Sequence, residues 1–409
     1  MGLWTEFSFI KGNFLLIVTG WLLIDFTREM AFTYYPLYVS ALGGTPTVFG
    51  LIGATSTIIQ AVMRITGGSL ADKYQRKPLI VSMTAFTALA YLIYALAPSW
   101  EHILLGAVLA SLATVYLPSF DSIIMDSLPS EKRGTGYSII NLITQASTTP
   151  SPLIAGLLYS KLRVSKTSRI AFLLVVLAYL TASATRLKLT EDLSKPRATH
   201  RDLAQALTDT RTLTESIKVW KEVHPTLRKL QAIELVFQIP NTMFNTVIVY
   251  FLVNDLGISE IELSRLVTLI GLAVIVFAIP AGRTIDRYGR VKPLILAHLA
   301  TLLTLSALLL RPGFKTLAVL TPIIALLNVV FYTASQALWA DLTPQTKRGK
   351  VLGNRGFLSL VASSIGSATG GLIYDQVGHN APLLLYIAGS LASLLLTLAY
   401  IREPKERVE

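Results

Sequence analysis

Cysteine is absent from the 409 residues, which excludes disulfides, iron-sulfur clusters and thiolate metal sites. Charge is scarce as well: Asp, Glu, Lys and Arg make up 15% of the chain against 52% hydrophobic residues, far from the balance of a soluble domain. The five histidines form no cluster with carboxylates, so no tight metal site is expected. The chain has no G-x-x-x-x-G-K-[ST] loop, so ATP is not expected to drive it directly. Neither an enzyme nor a cofactor is expected.

What the chain has is apolar length. Crossing a ~30 Å hydrocarbon core takes about 20 residues, and twelve runs are long enough: 14–39, 47–71, 78–97, 101–126, 134–159 and 168–187, then 230–254, 262–284, 292–310, 314–340, 349–374 and 380–401. The first run is too long for a signal peptide and is expected to stay as a helix. An all-α membrane protein with twelve transmembrane helices follows. The net charge of +12 is distributed by side: about 26 of the 36 Lys and Arg fall in one set of loops and the termini, about 7 in the opposite loops. By the positive-inside rule both termini are cytoplasmic. The charged stretch 188–229 reads as a cytoplasmic linker, with Leu203, Leu207, Leu213, Ile217 and Trp220 spaced as on an amphipathic helix. Its basic residues are expected to lie against lipid headgroups, with no nucleic acid as partner.

The two halves repeat. Gly68, Asp72 and Arg76 in G-S-L-A-D-K-Y-Q-R-K return as Gly282, Asp286 and Arg290, with Asp286 placed 214 residues after Asp72. The pattern D-x-x-P-x-x-K-R-G runs from Asp126 through Arg133 to Gly134, and again from Asp341 through Arg348 to Gly349, at an offset of 215. Leu42-Gly43 and Leu256-Gly257, and Gly156 with Tyr159 and Gly371 with Tyr374, keep the same register. These landmarks divide the chain into a six-helix bundle at 1–187, the linker at 188–229 and a second bundle at 230–409, with a substrate site expected between them at mid-membrane depth.

The G-x-L-A-D-x-x-x-R-K segment resembles the loop between the second and third helices of the major facilitator superfamily, the large group of secondary transporters. The resemblance implies that Asp72 caps the eleventh helix after Gly349 while Arg76 pairs with Asp126. By the repeat, Asp286, Arg290 and Asp341 form the matching latch after Gly134. Gln75 replaces the glycine kept as Gly289, so the first loop is expected to turn differently. Ser151, Pro152 and Gly156 look like a degraded form of the family's antiporter motif in the fifth helix, and Gly366, Gly370 and Gly371 are their small-residue counterpart. One departure is Gly106, which stands where proton-coupled drug exporters of the family carry an arginine.

Charges inside the spans mark the candidate chemistry. Asp25, Arg28 and Glu29 fall in the first run, where each charge costs about 2.5 to 3.5 kcal/mol. Asp25, Glu29, Phe32 and Pro36 share a helical face, and Arg28 is close enough to pair with Asp25, leaving one carboxylate free to take up a proton. Arg64 and Asp121 are candidates for a buried pair, the alternative being separate snorkelling toward the cytoplasm. In the seventh run Gln238, Asn241 and Asn245 share a face, beside Glu234. Phe32, Tyr35, Tyr116, Phe120, Phe331 and Tyr332, with Tyr34, Phe237, Phe244 and Trp339, are candidates for an aromatic cavity, although most aromatics in a membrane protein simply pack. His298, alone on an apolar helix, reads as a packing residue.

The expected function is secondary active transport by alternating access: proton-coupled antiport exporting amphipathic organic compounds, with Asp25 and Glu29 as proton or cation sites. The alternative is a proton-coupled symporter that takes up a small organic anion on Arg28, Arg64 or Arg355. The expected partners are a small-molecule substrate, protons and the bilayer, in a monomer at the cell membrane.

Overall fold

The computed structural model describes residues 11–128, 133–191, 195–199, 225–343 and 348–403, with 201, 202, 205, 206, 220 and 223. For 133–138, 279, 286, 348 and 349 it describes the backbone alone. The described chain is helical, without strands. The first half runs α1 (Gly12–Phe32), α2 (Tyr35–Ala41), α3 (Pro46–Lys73), α4 (Arg76–Leu96), α5 (Trp100–Ala113), α6 (Leu117–Asp126), α7 (Arg133–Thr148), α8 (Ser151–Tyr159) and α9 (Val164–Arg186). The second half runs α10 (Pro225–Tyr250), α11 (Glu260–Tyr288), α12 (Val291–Leu308), α13 (Phe314–Leu342), α14 (Arg348–Gln376) and α15 (Ala381–Tyr400). Each helix or broken pair of helices falls on one of the twelve apolar runs.

Among the described residues ten spans are long and apolar enough to cross a membrane. The other two runs are the broken pairs α1–α2, which carries Asp25, Arg28 and Glu29, and α7–α8. Proline explains the breaks. A proline offers no N–H to the carbonyl four residues earlier. Pro36 leaves Phe32 without that bond and α1 ends at Phe32; Pro118 leaves Thr114, where a 3-10 turn (Thr114–Tyr116) interrupts α5 and α6; Pro152 leaves Thr148, where α7 ends. The break at Thr33 and Tyr34 corrects the expectation of one continuous face from Asp25 to Pro36, because Pro36 belongs to α2 and is buried there.

The chain forms two compact units, Met1–Gly43 with Ile58–Thr210, and Gly44–Thr57 with Arg211–Glu409. In the first, α9 runs along α4 and α1, α5 packs on α4, and α7 and α8 pack on α1. Its core near the start of α1 joins Phe14, Ile17, Ile80, Phe120, Ile123 and Leu189. In the second, α10 lies against α14 and α15, and α13 against α11 and α12, around Leu227, Leu230, Ile233, Leu338, Trp339 and Val351. The start of α3 belongs to this unit. The Ser367 hydroxyl donates to the Gly50 carbonyl at 3.0 Å, Ser364 to Ala54 at 2.9 Å, and the Thr47 amide to Asp375 at 2.8 Å. Side chains such as Leu89, Leu177, Leu296 and Leu395 are exposed, as surfaces that meet lipid tails require.

The repeat survives in backbone detail. Gly43 and Gly257 both take left-handed conformations, φ 86° and 67°, which only glycine adopts at little cost. Gly289 does the same at φ 84°, and a Cβ there would press on the Glu403 carboxylate. Gln75 instead keeps φ −59° and is fixed by its amide on the Pro196 carbonyl, so the first loop does turn differently. The close-approach glycine is Gly67 rather than Gly68: a Cβ at 67 would strike the Val115 carbonyl and Pro118, whereas Cβ atoms at 68 and 282 would meet nothing described.

In the linker, Thr199 and Asp202 form a reciprocal cap, with the Thr199 amide on Asp202 at 2.8 Å and the Asp202 amide on the Thr199 hydroxyl at 3.3 Å. Leu203, Leu207, Leu213 and Ile217 lie outside the described residues. Trp220 packs edge-on against Trp339 at 6.1 Å and donates to Asn354.

Candidate functional site

The charges of α1 are loosely held. The Thr144 hydroxyl of α7 donates to Asp25 Oδ2 at 3.0 Å, and no donor among the described residues reaches the Glu29 carboxylate. Arg28 does not bond Asp25, contrary to expectation. Its guanidinium sits over the Phe32 ring, 5.5 Å from the centroid, with Tyr91, Tyr116 and Tyr179 close by, and it remains solvent-accessible despite this crowding. The reason is geometric: three residues along a helix bring side chains near each other, but the α1 break at Phe32 leaves an aromatic face that the flat guanidinium covers instead.

Two expectations about the surrounding aromatics are corrected. Phe120 is core, with Trp21 at 5.2 Å and Tyr116 at 6.0 Å. Tyr35 is buried in a packed cluster with Phe32, Tyr94 and Phe172, so it is a packing residue. Tyr34, Phe237, Phe244 and Trp339 are buried as well. Arg64 and Asp121 do not form a buried pair. Both are exposed, and no bond within 4.0 Å joins them.

A residue that composition concealed lies at the end of α9. Arg186 is fully buried, donates from Nη1 to the Thr84 hydroxyl at 2.5 Å, and stacks over Phe120 at 4.3 Å and Tyr116 at 5.7 Å. Its Nε and Nη2 meet no acceptor among the described residues. By position it belongs with the basic residues that end a span, and only packing distinguishes it from them.

The latch motifs are assembled in parallel. Arg76 Nη1 bonds Asp126 at 2.6 Å, and Arg290 Nε bonds Asp341 at 2.9 Å. Two glutamates that the motifs do not contain complete them. Glu191 accepts the Arg76 and Lys77 amides at 2.8 and 3.1 Å, and Glu403 accepts the Arg290 and Val291 amides at 2.7 and 2.8 Å. Each carboxylate sits on the first free N–H groups of a helix, where the dipole favours it. Their separation of 212 residues, just past the sixth and twelfth runs, was the signal available in the sequence. The Asp72 carbonyl accepts Lys195 Nζ at 2.8 Å. The side chains of Arg133, Asp286 and Arg348, and the positions of Gly134 and Gly349 as capped helix starts, lie outside the described side chains.

In the second unit the acid is fully engaged. Arg355 grips Glu234 through Nε at 3.0 Å and Nη2 at 2.9 Å, while Trp339 Nε1 donates to the same carboxylate at 2.8 Å and Ser335 donates as well. Arg355 Nη1 reaches Gln336 Oε1 at 2.5 Å, and Gln336 donates to the Tyr332 hydroxyl at 2.8 Å. Gln238 is tied to Ser363 at 2.9 Å and Asn245 to Asn241 at 2.6 Å, with Asn245 and Tyr332 exposed. His298 packs edge-on against Phe237 and Phe331, at 5.3 and 5.0 Å, and its Nδ1 has no described partner.

The antiporter-like segment packs inside its own unit. Ser151 is buried and donates to the Phe26 carbonyl of α1 at 2.6 Å, with Pro152 and Gly156 buried beside it. Gly366 and Gly370 leave no room for a Cβ against the α10 backbone at Ile239 and Met243.

The family model described as Major Facilitator Superfamily matches residues 17–228 and 232–409. A Na(+), Li(+), K(+)/H(+) antiporter of Planococcus maritimus is 24% identical over 177 residues, 42% of this chain and 40% of that protein. Multidrug resistance protein MdtG of Enterobacter lignolyticus (strain SCF1) is 25% identical over 154 residues, 36% and 37% of the two chains. The matched stretches thus span less than half of these relatives. Among solved structures, the human organic anion transporter MFSD10 (TETRAN) superposes with a TM-score of 0.65 at 18% identity, covering 95% of this chain and all of that one, a likeness of fold.

Proposed function

Because the chain belongs to the Major Facilitator Superfamily and is a multi-pass membrane transporter rather than an enzyme, we propose that it exports amphipathic organic compounds by proton-coupled antiport through alternating access. One contrast carries this reading. Asp25 and Glu29 share a single described hydrogen bond between them, whereas Glu234 holds donors from Arg355, Ser335 and Trp339. A carboxylate without fixed partners has lone pairs open to protons or cations, while one saturated by donors is occupied structurally. The coupling acids are therefore those of α1.

The printed names of the matched relatives, a cation/proton antiporter and a multidrug resistance protein, agree with this reading over the stretches they share. In it, 1–187 and 230–409 are the two bundles, 188–229 is the cytoplasmic linker, both termini are cytoplasmic in the cell membrane, and one chain suffices. The Arg76–Asp126 and Arg290–Asp341 pairs act as latches whose release accompanies the change of access. Transport in proteoliposomes holding a pH-sensitive dye tests it. Lipophilic cations and small organic anions are added under an imposed proton gradient, with Asp25→Asn and Glu29→Gln variants alongside. Substrate-driven proton release that both variants abolish is the expected result. Coupling that survives in both variants would remove α1 from the mechanism.

A further inference from the structure

Inside a helix a threonine hydroxyl ordinarily closes on its own chain, donating to the carbonyl four residues earlier. Thr27, Thr84 and Thr87 do so at 2.9, 2.6 and 2.8 Å. Thr144 of α7 instead donates across to Asp25 Oδ2 of α1, at 3.0 Å. One residue further along α1, the Phe26 carbonyl takes the hydroxyl of the buried Ser151 at 2.6 Å. The fifth span thus holds this point of α1 twice, once by side chain and once by backbone, from the two sides of the break that Pro152 imposes. The Thr144 carbonyl accepts the Ser147 and Thr148 hydroxyls at 2.9 Å each, which anchors the turn that presents its own hydroxyl.

Resting on the antiport reading above, we propose that Thr144 is a positioning residue for proton exchange: its hydroxyl orients the Asp25 carboxylate and sets the pH at which that group takes up and returns its proton. A donated hydrogen bond favours the ionised carboxylate, and without it the carboxylate holds a proton more tightly. A hydroxyl also accepts, so the same contact serves the protonated acid with the bond reversed. Asp25 therefore keeps a partner in both states. Glu234 differs, because its donors include the permanently charged Arg355. Thr144 is the one donor among the described residues that bonds the Asp25 carboxylate. The charges that reach Asp25 are Arg28 and Glu29 of α1 itself, with the Arg28 guanidinium turned over Phe32. On α9, Tyr179 lies by Arg28, Arg186 lies over Phe120, and Arg169 donates to the Ala97 carbonyl. Tyr159 of α8 is bonded to Ser168, Tyr35 of α2 to Tyr94, and Asp121 of α6 is exposed. Arg133 and Tyr137 of α7 stand about three and two turns before Thr144.

Infrared titration of the purified full chain reads Asp25 directly, as the carboxylic acid band that Asp25→Asn removes. In Thr144→Val, which keeps the shape and loses the hydroxyl, the midpoint of that band is expected about one pH unit higher, the scale of one hydrogen bond to a charged group. Thr144→Ser keeps the donor and is expected to bring the midpoint back. Ser151→Ala removes the backbone tie alone and is expected to leave the midpoint in place. If Thr144→Val does not fold, Thr144→Ala puts the same question. Dye-monitored exchange of tetraphenylphosphonium for protons in proteoliposomes is expected to follow the same order, with its pH optimum raised in Thr144→Val. A midpoint that stays put in the Thr144 variants, or moves equally in Ser151→Ala, overturns this inference while leaving antiport standing. Proton exchange that persists in both Asp25→Asn and Glu29→Gln overturns the antiport reading and this inference with it.

Discussion

Glu234 and Arg355, 121 residues apart in the chain, meet through two parallel hydrogen bonds at 2.9 and 3.0 Å that bind α10 to α14, with α13 joined through Ser335, Gln336 and Trp339. Both side chains are 16% exposed. Removing one partner strands the other charge in a mostly dry setting, which costs on the order of 3 kcal/mol. Glu234→Gln and Arg355→Gln should each lower the melting temperature in detergent by several degrees. The double variant should recover part of the loss, and additive losses would show that the pair is not coupled.

Asp25 and Glu29 should behave in the opposite way. Asp25 loses one hydrogen bond to Thr144 when it becomes asparagine, and Glu29 loses none described, so each substitution should change stability by no more than about 1 kcal/mol. Proton exchange should nevertheless disappear in both. Thermal melting and dye-monitored exchange on the same preparations check the two halves of the statement.

Two adjacent glycines should differ sharply. Gly67→Ala drives a methyl group into the Val115 carbonyl and should cost about 1 to 3 kcal/mol, while Gly68→Ala meets open space and should be nearly neutral. Expression level and melting temperature of the two variants give the comparison.

Glu191 and Glu403 cap equivalent helices in the two units, each through two backbone amides. Replacing either by alanine should cost about 0.5 to 2 kcal/mol. The exposed Glu403 should lose part of that effect at high salt. Amide hydrogen exchange at Arg76 and at Arg290 reports each cap separately.

The linker cap should depend on pH. Bonds from the Thr199 hydroxyl, then the Thr199 amide and Tyr74, hold the Asp202 carboxyl below the usual aspartate value. A depressed folded-state pKa means that the cap contributes above the unfolded value and is lost as pH falls through the folded one. Protection of the Thr199 amide should therefore be complete at neutral pH and fade only in strong acid. Asp202→Asn should remove this pH dependence.

Much of this was legible in the residues because it is local or periodic. Run lengths located the spans, and the prolines at 36, 118 and 152 explain where they break once hydrogen-bond register is considered. The pairing of Arg76 with Asp126 was implied by the family resemblance, and the repeat carried it over to Arg290 with Asp341. Glu234 with Arg355 did not, because nothing in spacing tells which helices are neighbours, and Arg186 was indistinguishable from a basic residue ending a span.

The sequence by itself determined that this chain lives in a membrane, that it is built twice, and that α1 carries charges an apolar run does not need, since length, repetition and charge are properties of a string. Tertiary structure decided which charges are spent. It closed Glu234 inside a set of donors, laid Arg28 on Phe32 instead of Asp25, and buried Arg186 with no carboxylate bonded to it among the described residues. Those outcomes depend on distances between helices, and the energy of a charge in a low-dielectric interior is set by what stands within a few ångströms of it.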